Sequence, residues 1–208
     1  KDVFTSTRFM NVTVGGNVTH IGEGAFESSN HYFGDVIIED SVKSIGARAF
    51  QRCSMMNSLI IPESVTYIGQ GAFEGFASNN NPPRGSLQIY GGNLEGEDIV
   101  INSGVFNQSR FKDVIIGGKV TKIADNAFSQ IYENFIGSLT IKSPVNYIGN
   151  SAFRDCRGFY GKLTIPESVK TIGSSAFAGC NNFSEFELNY GADTSIGQDA
   201  FQNLRIPN

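Results

Sequence analysis

Tryptophan is absent from the 208 residues, histidine occurs only twice and cysteine three times. His20 and His31 stand in no metal-ligand spacing, so the chain has little from which to build a histidine metal centre or an imidazole base. Three cysteines cannot all pair, so cysteine usage does not reveal the redox compartment. Charged residues are 17% and the formal net charge is -4; without a basic stripe to neutralise phosphates, nucleic acid is excluded as a partner class. No apolar run reaches the length of a membrane span, so this segment does not insert into a bilayer. Walker A, G-x-S-x-G and G-x-G-x-x-G motifs in strand-helix context are all missing, and no two carboxylates recommend themselves as acid and base. The expectation is a protein that is not an enzyme and needs no cofactor or metal.

What the chain does have is a repeat. Anchored on the aromatic of an Ala-Phe or Val-Phe pair, eight copies centre on Phe26, Phe50, Phe73, Phe106, Phe128, Phe153, Phe177 and Phe201, spaced 24, 23, 33, 22, 25, 24 and 24 residues apart. A period near 24 marks a solenoid, in which no unit buries its apolar set alone and stacked units bury a continuous core.

Each copy opens on two apolar residues in alternation, as in Val36/Ile38, Leu59/Ile61 and Leu163/Ile165, the period of a strand with one face buried. A Val and then an Ile follow in most copies (Val42 and Ile45, Val169 and Ile172), with Pro or paired Gly in the step between, where the chain must turn. The Ile is followed by Gly in six copies, but by Asn102 and Ala124 in two. Positive φ explains Gly and Asn at such a corner, close backbone approach explains Ala; both reasons stay open. The Phe comes next, then Cys53, Cys156 or Cys180 at one packing position, with Cys156 and Cys180 in consecutive copies where a disulfide is conceivable only if their geometry matches. One strand, a second short extended piece, one helical turn and a return complete the unit. Eight of 17 Phe form the main column and Phe33, Phe111, Phe135, Phe159 and Phe183 a second one, so the aromatic content is mostly scaffold.

These strings, IPESVTYIGQGAFEGF at 61–76 and IPESVKTIGSSAFAGC at 165–180, resemble the BspA-like, or Treponema pallidum-type, leucine-rich repeat. The resemblance implies an α/β repeat solenoid, a right-handed superhelix with one parallel strand per repeat. It also implies a secreted or cell-surface protein of the kind found on host-associated bacteria, with a protein or host extracellular-matrix component as partner. No catalytic motif comes with the family. The whole chain, 1–208, is expected to be one domain, with residues 1–10 a partial cap or the remnant of an earlier element. The absence of Met at position 1 reads as a trimmed product.

The regularity breaks around the fourth strand. Extra residues enter near 77–85, including Asn80, Asn81, Pro82 and Pro83, and again at 91–98, including Glu95, Glu97 and Asp98. Loops inserted in a solenoid often carry binding, whereas this acidic trio has no calcium-loop spacing. If the Leu/Ile positions point inward, the residues between them point outward. That places Ile37, Ile60, Gln88 and Ile115 in one row with Tyr90 beside it, an apolar patch rimmed by Asp35, Glu39 and Asp113 and the candidate ligand-binding face. The expected function is a noncatalytic binding module using this face and the loops of copy four. The alternative is a structural spacer within a larger surface protein.

Overall fold

The computed structural model describes residues 3–6, 10–29, 34–79, 85–129, 137–189, 191 and 193–204. His31, Phe33, Phe135 and the 80–84 part of the first insertion lie outside them. The chain coils so that each copy contributes one rung to each of three walls. On the first wall, strands Val12–Val14, Val36–Ile38, Leu59–Ile61, Ser86–Ile89, Asp113–Ile116 and Leu139–Ile141 lie side by side in parallel. Strands Gly161–Ile165 and Phe183–Leu188 form a separate parallel pair. The alternating apolar residues face the core: Leu59, Ile61, Leu87, Ile89, Val114 and Ile116 are fully buried.

The second wall consists of very short strands ending in the repeated Ile. His20–Ile21, Ser44–Ile45 and Tyr67–Ile68 form one parallel sheet. Asp98–Ile101, Lys122–Ile123, Tyr147–Ile148, Thr171–Ile172 and Ser195–Ile196 continue in another. Strands of two residues are far too short to stand alone; parallel bonding to neighbouring layers holds them, with the repeated Ile buried in all but Ser195–Ile196.

The expected helical turn is absent: no helix occurs among the described residues. The third wall is instead a series of tight turns. In the first layer Ala25, Glu27 and Ser29 donate their N–H back to the carbonyls of Gly22, Gly24 and Phe26. The intervening Gly24, Phe26 and Ser28 donate to Ala47, Ala49 and Gln51 of the next layer at 2.7–2.9 Å. Half of the amides are thus diverted to the neighbouring layer, which an α-helix would not allow. The geometry needs left-handed residues two places before and two after each Phe. Gly24, Arg48, Gly71, Gly104, Asn126, Ser151, Ser175 and Asp199 occupy the first position, and Ser28, Arg52, Gly75, Gln108, Asp155, Gly179 and Asn203 the second.

Positive φ therefore does not lie at the glycine after the repeated Ile. There the reason is close approach alone: a Cβ on Gly69, Gly173 or Gly197 would meet a backbone nitrogen of the preceding layer at 2.3–2.4 Å. The mixed explanation offered by the sequence resolves to one cause.

The Phe rings form a continuous pile through the centre, with neighbouring centroids 4.9–5.6 Å apart and rings near parallel. Phe4 extends it, stacked on Phe26 at 5.2 Å. The stretch read as a partial cap therefore contributes a ring to the core. A signal for it was present, since Phe4 precedes Phe26 by nearly one period and follows an apolar residue as Phe106 does.

Where the residue three places on from the ring is a cysteine, or is Ser29, it donates to the Phe carbonyl of the preceding layer. Cys53 Sγ reaches Phe26 O at 3.0 Å, Cys180 Sγ reaches Phe153 O at 3.0 Å, and Ser29 Oγ reaches Phe4 O at 2.6 Å. Cys and Ser suit this bond as small side chains with one donor, while Phe76 and Leu204 fill the same position by packing alone. All three cysteines are buried free thiols, so Cys156 and Cys180 are not joined.

The second insertion forms an antiparallel hairpin, Asn93–Glu95 with Asp98–Ile101, turning at Gly96 with φ 65°. It adds a rung to the second wall only, because on the first wall Leu59–Ile61 pairs directly with Ser86–Ile89. The buried Asn93 manages the mismatch. Its Oδ1 accepts the Ile68 N–H and its Nδ2 donates to the Ile68 carbonyl at 3.1 Å. A side-chain amide thereby stands in for the missing strand backbone and joins the two sheets of the second wall.

Candidate functional site

On the first wall the register places Ile37 opposite Ile60, Ile60 opposite Gln88 and Gln88 opposite Ile115. These four outward side chains form one cross-strand row, as their alternation with buried neighbours requires. Ile37 is 44% exposed, while Ile60, Gln88 and Ile115 are half-buried. Tyr90 leans back over the row, its hydroxyl donating to Gln88 Oε1 at 2.9 Å.

The acidic rim has a different role from the one its charge suggests. Asp35 Oδ1 accepts from the Ser58 N–H at 3.0 Å and from Asn57 Nδ2 at 3.1 Å. Asp113 Oδ1 likewise accepts from the Ser138 N–H at 2.9 Å and hydroxyl at 2.7 Å, and Glu39 Oε2 accepts from the Gly16 N–H at 2.9 Å. Each carboxylate ties its strand to the neighbouring layer. The sequence shows the charge but not this use, since the partners lie one period away.

Beyond the carboxyl ends of these strands the row opens into a groove of about 1090 Å³, bordered by Ile60, Pro62, Tyr90, Glu63, Asp40 and Lys119. Lys119 Nζ approaches Glu63 Oε2 at 3.7 Å across the groove, both well exposed, so this pair shapes the surface more than it stabilises it. Beside the groove Gly91 packs tightly on the preceding layer, where a Cβ would strike Pro62 O at 2.3 Å. Lys119 and Glu63 were not singled out from sequence. Their meeting depends on copies three and five approaching past the turn of copy four.

On the second wall the row in register with Lys122 reads the buried Val100, Lys122, Tyr147 and Thr171, with Tyr67 at the equivalent place of the neighbouring sheet. Asp98 and Lys122 form an ion pair, and Thr121 Oγ1 donates to Asp98 Oδ1 at 2.9 Å. The Lys122 and Thr121 hydrogen bonds hold the Asp98 carboxyl below its usual range. Asp98 is thus engaged with its own scaffold, and among the described residues no group of three or more His, Cys, Asp or Glu is arranged to hold a metal ion.

Cys53 and Cys156 offer no nucleophile. Burial pushes Cys53 up to about 12 and Cys156 well above its ordinary value, so both stay protonated at neutral pH. No helix of the described residues is long and apolar enough to cross a membrane.

Among solved structures the chain is similar to a leucine-rich repeat protein of T. pallidum, with 24% identity and a TM-score of 0.61 over 86% of this chain and 82% of that one. It is also similar to a leucine rich cell surface protein of Faecalibacterium prausnitzii at 19% identity and TM-score 0.45, covering 93% of this chain and 68% of that one. A leucine-rich repeat protein of Eubacterium ventriosum matches at 22% identity and TM-score 0.42, over 82% of this chain and 51% of that one. No functionally curated protein matches the sequence. The model of the BspA type leucine rich repeat region matches six copies across residues 1–83 and 99–208. Residues 84–98, which hold the first-wall strand Ser86–Ile89 and the first half of the hairpin, fall between the two matched stretches. The ring pile, the close-approach glycines and the three-walled coil are thus the physical content of that repeat, and this chain belongs to the BspA-type leucine-rich repeat family.

Proposed function

We propose that the protein is a noncatalytic binding module, exposed at a cell surface or secreted, that engages a protein partner of the extracellular-matrix type through its first wall. The observation that carries this reading is the in-register row Ile37, Ile60, Gln88 and Ile115 running into the groove beside Tyr90. A preformed surface with an apolar centre and a charged border suits protein recognition, and its rigidity lowers the ordering cost of association. Gln88 and Tyr90 bring the fourth copy into the site. Membership in the repeat family supports both a binding role and the location.

The test is binding of the folded chain to immobilised fibronectin, fibrinogen, laminin and collagen, beside Ile37→Asp alone and combined with Ile60→Asp. A selective interaction should fall at least ten-fold in the double variant with little change in Tm. Wild-type protein that binds none of these would put the spacer reading in its place. A collapse of Tm in Ile37→Asp would show that the row belongs to the core.

A further inference from the structure

The second wall holds a depression of about 380 Å³, inside the ~300–1,000 Å³ range of small-ligand sites. Glu95, Ser103, Lys122, Asp125 and Tyr147 line it, together with the buried Val100. It lies where the repeat departs from its own rule several times over. The inserted hairpin delivers Glu95, and the two copies that lack the glycine after the repeated Ile, at Asn102 and Ala124, are those beside it.

The lining is already held in place. Asp125 accepts the Asn150 N–H at Oδ1 at 2.7 Å and the Asn150 side-chain amide at Oδ2 at 3.0 Å. Lys122 is anchored by Asp98. Tyr147 stands next to Lys122 in the same cross-strand row, half-buried with part of its ring open to the depression. Each carboxylate oxygen has a second lone pair and the ammonium has further N–H groups to offer, so acceptors and donors alternate around one flat aromatic surface.

We propose that this depression binds a single neutral sugar ring of a glycan, stacked by its C–H face on Tyr147 and hydrogen-bonded through its hydroxyls to Glu95, Asp125 and Lys122. The charges decide the ligand class. Glu95 and Asp125 in the lining, with Asp98 beside them paired to Lys122, outnumber the one ammonium and repel a phosphate or carboxylate, while a small amine would pair with a carboxylate but leave the Tyr147 ring uncovered. A purely apolar ligand would strip water from these groups and return no hydrogen bonds. A sugar hydroxyl donates and accepts, so it satisfies carboxylate and ammonium together, and the pyranose C–H face matches the Tyr147 ring. The site is separate from the first-wall face and does not depend on it.

The test is saturation-transfer NMR of the whole chain with methyl glycosides of galactose, glucose, mannose and N-acetylglucosamine at millimolar concentration, with inorganic phosphate and methylamine as charged controls. At least one neutral glycoside should bind. Its affinity should fall ten-fold or more in Tyr147→Ala and in Glu95→Gln, and should be unchanged in Ile37→Asp. Glu95 lies on the exposed hairpin, so Glu95→Gln keeps the test valid if Tyr147→Ala fails to fold. Silence from all four glycosides, binding that survives Glu95→Gln, or a charged control that binds better than any glycoside would overturn the proposal.

Discussion

Replacing Asn93 by Ala should be among the most damaging single changes on the second wall, although the side chain lost is small and polar. The amide of Asn93 serves both backbone groups of Ile68, accepting from its N–H and donating to its carbonyl. Asn93 is only 7% exposed and Ile68 only 4%, so water cannot readily take over. Each buried group left unpaired costs about 1–3 kcal/mol, which for two groups, after partial relaxation, gives about 2–5 kcal/mol. Native domains have a total stability of about 5–15 kcal/mol, so the loss is a large fraction. Asn93→Asp separates hydrogen bonding from packing. The introduced carboxylate keeps the acceptor for the Ile68 N–H but turns a second oxygen towards the Ile68 carbonyl, so burial and repulsion raise its folded pKa above the unfolded value of ~3.9. A carboxyl whose folded pKa is raised is destabilising when ionised. Relative to wild type, Asn93→Asp should be weakest at neutral pH and recover as pH falls through the folded pKa, with recovery complete below ~3.9, where the protonated acid again donates and accepts. Urea unfolding followed by circular dichroism at several pH values reads both effects. A cost for Asn93→Ala below about 1 kcal/mol, or an Asn93→Asp difference that does not shrink on acidification, would refute the bridging role.

Phe153 stacks between Phe128 at 5.0 Å and Phe177 at 5.1 Å, so Phe153→Ala should cost about 3–5 kcal/mol in urea unfolding. Phe201 is half-buried and should cost less when truncated; equal losses would argue against a continuous pile. Gly173→Ala places a Cβ 2.4 Å from the Asn150 nitrogen and should lower stability by about 1–3 kcal/mol or more. Gly96→Ala meets no atom but sits at φ 65°, so its cost should stay near ~1–2 kcal/mol; a larger loss at Gly96 than at Gly173 would reverse the assignment of close approach and positive φ. Cys53, pushed up to about 12 by burial, should resist thiol reagents at pH 8 until urea unfolds the chain, and rapid native labelling, followed by mass spectrometry, would show the layer to be open.

Much of the coil was legible because its core positions obey a simple steric rule. Every layer must place a Leu, Val or Ile inward on the first wall and a Phe in the pile, so these residues recur at fixed intervals. The left-handed corners escaped notice because they accept Gly, Arg, Asn, Ser, Gln and Asp alike. Bonds to the next layer hold the backbone there whatever the side chain, leaving no residue signature and making the segment look like one helical turn. The strand-face row followed from alternation alone. The depression on the second wall did not, since Glu95, Lys122, Asp125 and Tyr147 belong to three different copies and none is unusual within its own.

The sequence by itself determined that the chain would stack, at what period, and which residues would be buried, because burial depends on apolar pattern and the pattern repeats. Only the tertiary structure decided how each layer is tied to the next: Asp35 to Ser58, Cys180 to the Phe153 carbonyl, Asn93 to Ile68. Those bonds join residues 23–27 positions apart, and a polar side chain carries no mark of the partner that stacking will bring to it.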